Sequence, residues 1–340
     1  AGEVVAIGAT NKDGIFIAAV AGVGLCYLDC ADATCHWAAT VNFTDFTGAI
    51  GSLGLHYYRA AARQSDDADV AYVSFAQAST SWLCLKLPVV AELCNTGSSS
   101  TEAELVRRGE PKDDIVAASS APEDGVTSLA FKGGTVSFYS ATTGLLAAKS
   151  AKLGRPEVEA VVALARIRAH RVVLVRSTAK PGSVEVFVIA FHAEEQRCEV
   201  ERTGTVGTAS PLLSSVGPLL GAQVADASPG GEEVVLCWSA ASSNGDASGP
   251  GGYAYASLDV HSPEFVVTPI SPAASSAGPP PAAWMCVSSY LVEWAPAAAG
   301  EGEAGDDGAA SLQLSVRDTR YGILVASGLV PFTRKGSKAL

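Results

Sequence analysis

The sequence predicts an all-β fold assembled from copies of one four-stranded unit, and three observations carry that prediction. The first is the segment Gly125–Ser150, GVTSLAFKGGTVSFYSATTGLLAAKS. Two short apolar strands, Thr127–Phe131 and Thr135–Tyr139, flank Gly133-Gly134. A polar turn from Ser140 to Gly144 then leads into a third strand, Leu145–Ala148. Gly-Gly supplies the positive φ of a tight hairpin, and Thr-Thr-Gly closes the next one. The second observation is recurrence: strand–turn–strand segments of the same kind begin at Gly24, Ala71, Ser183, Tyr253 and Ser311. The third is physical. A unit of this kind cannot bury both its faces alone, so one copy requires others.

Aligned on Asp29, Gln77, Ser140, Ala190, Asp259 and Asp318, the turns fall roughly 50–70 residues apart, against about 40–45 for a tight repeat of this type. The architecture that fits is a single β-propeller of six or seven four-stranded blades with long disordered loops. It spans residues 1–333, and 334–340 form a polar tail or a linker to a C-terminal region. A β-sandwich or a pair of β domains is the alternative arrangement of the same hairpins. The last hairpin is expected to pair Leu312–Val316 with Ile323–Ala326. Ring closure is expected to bring Glu3–Gly8, EVVAIG, into the sheet built by that hairpin, because an open edge leaves strand groups unpaired. Excess length falls in four insertions, 95–123, 242–252, 271–283 and 295–310, each polar or rich in Gly and Pro and expected to be irregular. The first carries a helix start signal and is expected to form a short helix over Thr101–Arg108.

Composition narrows the function. A net charge of −12 opposes wholesale nucleic-acid binding, although it leaves room for a local basic patch. No apolar run reaches the roughly 18–20 residues of a membrane span, and the N-terminus lacks a basic leader region. Membrane insertion is therefore not expected, and the protein reads as intracellular. Eight cysteines are irregularly spaced, several of them within apolar strands: Cys84 in WLCLKL, Cys237 in VVLCW and Cys286 in WMCVSSY. They read as buried free thiols of a reducing compartment.

Motifs that would carry catalysis are lacking. Cys26, Cys30, Cys35 and His36 form the best metal candidate, but their spacing matches no zinc knuckle. Strand alternation puts Cys26, Leu28 and Cys30 on one face, as packed core. The histidines at 36, 56, 170, 192 and 261 are scattered, and neither a zinc-protease motif, a nucleophile elbow nor a phosphate loop occurs. The acidic run Gly300–Gly308 lacks the residue order of a calcium loop. The expectation is a non-enzyme with no catalytic residue, cofactor or metal, and no small-molecule substrate.

One charge asymmetry stands out. Between Lys149 and Lys180 lie Lys149, Lys152, Arg155, Arg166, Arg168, Arg171, Arg176 and Lys180, against only Glu157 and Glu159. Arg166 and Arg168 alternate with apolar neighbours, so both point to one face of a strand. Two readings stay open. One is a solvated outer strand. The other is an interaction ridge of Arg166, Arg168, Arg171, Arg176 and Lys180 for RNA phosphate or an acidic protein partner.

The blade rhythm resembles the WD40-like propeller superfamily over most of the chain. The Trp-Asp pair of those repeats is replaced by Tyr139-Ser140, Leu258-Asp259 and Arg317-Asp318. Ser315–Phe332, SVRDTRYGILVASGLVPF, is similar to a strand pair of nucleolar propeller proteins in the UTP-A group of the small-subunit processome. That resemblance implies a non-catalytic scaffold in ribosome biogenesis and pre-rRNA processing, located in the nucleus or nucleolus. Its partners would be other protein subunits of a large assembly, with RNA reached through the basic patch. Two further classes fit the same fold: a coat or nuclear-pore type scaffold, and a propeller enzyme or ligand binder using the central channel.

Overall fold

The computed structural model describes residues 4–9, 15–20, 24–29, 36–42, 56–59, 70–78, 81–88, 100–109, 112–121, 125–148, 150–156, 162–167, 170–180, 182–207, 216–226, 232–240, 253–270, 283–287, 290–296, 310–319 and 323–332. Among them there is no helix. Four strands, β1 (Val4–Ala9), β2 (Ile15–Val20), β3 (Gly24–Asp29) and β4 (His36–Asn42), form an antiparallel meander. A second begins with β5 (His56–Arg59), β6 (Val70–Ala78) and β7 (Ser81–Pro88). The chain then lays β8 (Ser100–Glu102) parallel to β4, and β9 (Glu104–Gly109) returns to complete the second sheet beside β7. The third sheet is β10 (Ile115–Ala121), β11 (Val126–Phe131), β12 (Thr135–Ser140) and β13 (Ala151–Lys152).

Three more sheets follow in strict sequence order. They are β14 (Val162–Ile167), β15 (Arg171–Ser177), β16 (Val184–His192) and β17 (Arg197–Val206); β18 (Val216–Asp226), β19 (Glu232–Ala240), β20 (Tyr253–Asp259) and β21 (Val266–Pro269); and β22 (Ala283–Val287), β23 (Tyr290–Pro296), β24 (Ala310–Asp318) and β25 (Leu324–Phe332). The chain divides into two compact units. One holds Ala1–Pro156, Ala169–Val172 and Ile189–Glu201, the other Glu157–Arg168, Val173–Val188 and Arg202–Leu340.

Burial explains why these segments are strands. Every residue of β11 is buried, as is the interior of β15, and such runs read as continuous apolar stretches because both strand faces are covered. Outermost β17, RCEVERTGTV, alternates between exposed and half-buried positions instead. In the first unit Trp82, Cys84, Ile115, Leu129 and Phe131 form one core, and Phe138 stacks on Phe191 at 5.2 Å. In the second, Val173, Val175, Val186 and Val188 join Val234, Leu236, Trp238, Ala256 and Leu258. Each fully buried valine or leucine contributes about 1.5–3 kcal/mol relative to exposure. Within that unit β14 lies beside β18, and β18 beside β22, so the first strands of successive sheets are neighbours.

The turns show the repeat at atomic resolution. Gly134, at φ +79°, closes the β11–β12 hairpin with its N–H donating to Phe131 O at 2.9 Å. At the end of the third strand, the Ser140 N–H donates to Leu145 O at 2.8 Å. In the last sheet the Asp318 N–H donates to Ile323 O at 3.0 Å, across the same five-residue step. Side-chain oxygens cap two of these third-strand turns. Ser140 Oγ accepts from Thr143 N, and Asp259 Oδ1 accepts from His261 N and Ser262 N.

Four expectations need correction. Thr101–Arg108 is not helical but contributes to β8 and β9, with Leu105 paired opposite Leu85. An eight-residue segment is too short for a helix that lacks tertiary support, and the open edge of β7 offers a full ladder. The insertion 95–123 accordingly holds three strands, β8, β9 and β10. Leu145–Ala148 makes only a single bridge, Tyr139 to Leu146, and the fourth strand of that sheet is Ala151–Lys152. Glu3–Gly8 does not join the C-terminal hairpin: β1 pairs with β2, Ile7 opposite Ala18, while β22–β25 complete the last sheet themselves. The short connection to Ile15–Val20 makes the local pairing cheaper in loop-closure entropy. The expected final hairpin does form, Leu312 opposite Val330 and Val316 opposite Ala326. The other three insertions lie largely outside the described residues.

A pair of glycine substitutions separates backbone strain from collision. Gly134 and Gly154 both have φ near +80°, but a Cβ on Gly134 would collide with the Gly154 carbonyl oxygen, whereas one on Gly154 meets nothing within 4 Å. Gly154→Ala should cost about 1–2 kcal/mol, the left-handed penalty alone. Gly134→Ala should cost roughly 3 kcal/mol or more, the sum of that penalty and local rearrangement. Urea unfolding midpoints of the two variants measure the difference.

Candidate interaction surface

The basic residues singled out in the sequence lie on or next to β14 and β15, and the structure gives them different environments. Arg171 opens β15, with its side chain 39% exposed. Its Nε donates to Glu201 Oε2 at 2.6 Å and its Nη2 to Oε1 at 3.0 Å, a bidentate pair. Arg176 lies five residues further on, and an odd step in a strand puts it on the opposite face. It is only 6% exposed, donates to the Glu185 carboxylate, and its guanidinium sits 4.9 Å above the Phe187 ring. Arg176 therefore does not share a solvent-facing surface with Arg171. Lys180 is exposed in the turn after β15, where its N–H donates to Thr178 Oγ1 at 3.2 Å. Arg166 falls within β14, its side chain outside the described set, and Arg168 lies outside the described residues.

The acid that balances these cations comes from β16, β17 and their connecting turn. Arg197 donates to both Glu195 and Glu199, and His192 Nε2 lies 3.2 Å from Glu199 Oε1. Hydrogen bonds from Arg197 hold the Glu195 and Glu199 carboxyls below their ordinary range. The signal for this was present in the segment Glu194–Arg202, EEQRCEVER, where Glu199 and Glu201 alternate along one strand face. The exposed surface of this sheet is thus a mixed lattice of both signs.

A buried polar cluster links two sheets of the second unit. Tyr255 on β20 packs with Cys237 and Leu291 in one buried cluster, and on the adjoining sheet Arg317 Nε donates to Glu293 Oε2 at 3.1 Å. Gln223 Oε1 accepts from Cys286 N at 2.8 Å. Burial, with smaller contributions from Cys237 and Glu293, raises the Tyr255 hydroxyl far above its usual range. Burial likewise pushes the Cys84, Cys237 and Cys286 thiols up to about 12. Groups held protonated in this way suit hydrogen bonding between sheets and are poor nucleophiles. Of the metal candidates, Cys26 is buried in β3 with its thiol raised by burial, and Cys30 and Cys35 lie outside the described residues. Among the described residues no group of three or more metal-binding side chains converges, and no helix is long and apolar enough to cross a membrane.

No protein-family model matches the chain, and no curated protein matches it by sequence. Among solved structures it is similar to the WD40 domain of SCAP from fission yeast, with a TM-score of 0.52 over 97% of this chain and 74% of that one, at 10% identity. A computationally designed protein, Ika8, aligns over 96% of this chain and 74% of its own, at 14% identity and a TM-score of 0.45. Identity this low speaks for the fold and for nothing finer. The fold is that of a WD40-like β-propeller. Its sheets of sequential antiparallel strands and its repeated third-strand turn agree with that assignment.

Two measurements follow from the charged and buried groups. Arg176→Ala leaves the Glu185 carboxylate without its partner and uncovers Phe187, and should cost roughly 2–4 kcal/mol. Arg171→Ala breaks a more exposed pair and should cost under about 1 kcal/mol, a loss that shrinks further in high salt. Equal losses in chemical denaturation would contradict this contrast. The thiols give a pH dependence. Folded Cys84, Cys237 and Cys286 stay protonated to about 12, whereas their ordinary value is 9.0. As pH rises past 9 the unfolded chain loses these protons first. Stability is therefore full below that point and falls toward 12, by about 1.4 kcal/mol per pH unit for each thiol. Cys84→Ala should remove one thiol's share of the slope.

Proposed function

We propose that the chain is a non-catalytic scaffold, a single propeller over residues 1–333 that docks other protein subunits within a large intracellular assembly. The observation that carries this reading is the WD40-like fold itself, joined to the way its ionisable side chains are used. Arg176 is occupied by Glu185 and Arg317 by Glu293, and the buried thiols are held protonated. The strand-pair resemblance at Ser315–Phe332 supports placing the assembly in early ribosome production, in the nucleolus. Within it, Arg166, Arg168 and Lys180 are the residues offered to RNA phosphate or an acidic subunit, Arg171 being already paired with Glu201. Arg176 drops out of that set because it is buried.

Affinity purification of the endogenous protein, with identification of what accompanies it, tests the scaffold. Stable recovery of ribosome-assembly subunits supports the full reading. Recovery with coat or nuclear-pore subunits keeps the scaffold and overturns the nucleolar placement, and recovery as a lone species overturns both. Reversing the charge of Arg166, Arg168 and Lys180 should weaken RNA association and flatten its salt dependence by about one unit of slope for each phosphate no longer neutralised. If association is unchanged, these residues form a solvated strand and nothing more.

A further inference from the structure

Leu145 and Leu146 follow the Ser140–Gly144 turn and are 50% and 53% exposed. Their exposure belongs to the turn. In the last sheet the same five-residue step leaves Ile323 and Leu324 61% and 47% exposed. Packing therefore does not account for apolar side chains at these positions, and a polar residue would fold as well there. What distinguishes the first site is its neighbour. The stem of Arg107, on edge strand β9, lies over Gly144, where an added Cβ would come 2.8 Å from Arg107 Cβ and 3.0 Å from its Cδ. Arg107 is exposed and has no ion-pair partner among the described residues. Glu104, the carboxylate on the same strand, pairs with Lys86 instead, at 3.7 Å. Arg108, also exposed, is the next residue. On a chain of net charge −12, an exposed arginine stem packed over the turn that carries two exposed leucines is a local reversal of both charge and polarity.

We infer that Arg107, Gly144, Leu145 and Leu146 form a docking site for a partner segment that carries carboxylates alternating with bulky apolar side chains. The occupant follows from complementarity. The leucines offer apolar area that only a desolvating partner side chain would use. The exposed Arg107 guanidinium favours a carboxylate in bidentate contact and disfavours a basic segment. Gly144 matters because any side chain there would displace Arg107, and its φ of +62° favours glycine independently. This names a partner class for the scaffold function proposed above and rests on that reading.

The test uses the full chain and three fluorescein-labelled peptides of about eight residues, alternating Glu-Leu, Lys-Leu or Glu-Ser, titrated by fluorescence anisotropy. The Glu-Leu peptide should bind saturably, and the other two at least about tenfold more weakly. Arg107→Glu, and separately Leu145→Ser with Leu146→Ser, should each weaken Glu-Leu binding by about tenfold or more. Ile323→Ser with Leu324→Ser should leave it unchanged. Circular dichroism checks that each variant is folded, and Arg107→Gln provides a milder form of the charge loss. Equal binding of the Lys-Leu peptide, no saturable binding of Glu-Leu, or indifference to Arg107 would overturn the proposal. So would sedimentation showing that Arg107→Glu dissociates a dimer, since the occupant would then be a second copy. Failure here with subunits still recovered in affinity purification rejects the site alone. Peptide binding without recovered subunits rejects the assembly alone.

Discussion

Each sheet has two faces to cover, and the middle strands are apolar on both. That constraint governs the rest of the molecule. β11 is buried at every position, and the interior of β15 is no different. A lone sheet of this composition would expose both faces to water, so each must be packed against others. In the second unit the result is one continuous core that runs from Ile167 through Trp238 to Phe265. Two of the outermost strands are strongly charged: Glu104, Arg107 and Arg108 lie on β9, and Arg197, Glu199 and Glu201 on β17. Such charges also discourage edge-to-edge association.

Where polar groups enter the interior they are tied down. The Arg202 guanidinium donates to the carbonyls of Val260 and Ser262 and lies 4.4 Å above the Phe265 ring. One side chain thereby anchors the β20–β21 turn to the neighbouring sheet. Ser257 Oγ donates to Glu233 Oε2 at 2.6 Å, a cross-strand tie within the sheet. Removing a single member of such a set leaves a desolvated partner behind, which costs more than the bond is worth when intact.

Much of the fold was legible because hairpin chemistry is local. The hairpin at Gly133-Gly134, its two strands and the Thr-Thr-Gly turn formed where their residues indicated, whereas the strand expected after that turn shrank to a single bridge. Five of the six aligned turns fall on third strands. The exception is Gln77, which lies in β6, a second strand, so the Ala71 hairpin is β6–β7. That slip has a physical origin. The fourth strand of the sheet, β9, is reached only after the chain has visited another sheet, and no local pattern announces such a detour. The helix expected at Thr101–Arg108 failed for the same reason, since a start signal reports only on the first turn. Residue spacing placed charge on β15, but it was blind to the sign of the strand two positions away. The acidic β17 neutralises Arg171, and burial removes Arg176 from view.

The detour of β8 has a mechanical consequence. Only Ala103 separates Ser100–Glu102, which is hydrogen-bonded to β4, from Glu104–Gly109, which is hydrogen-bonded to β7. A single extended residue spans about 3.3–3.6 Å, so the two ladders are joined by a link with almost no slack. Neither sheet can open at that edge without loading the other. In a repeat architecture where stability is approximately a sum of neighbouring terms, a covalent bridge this short fuses two terms into one. The first and second sheets should therefore exchange their amide protons as one cooperative unit, and lengthening the chain at Ala103 would be the way to uncouple them.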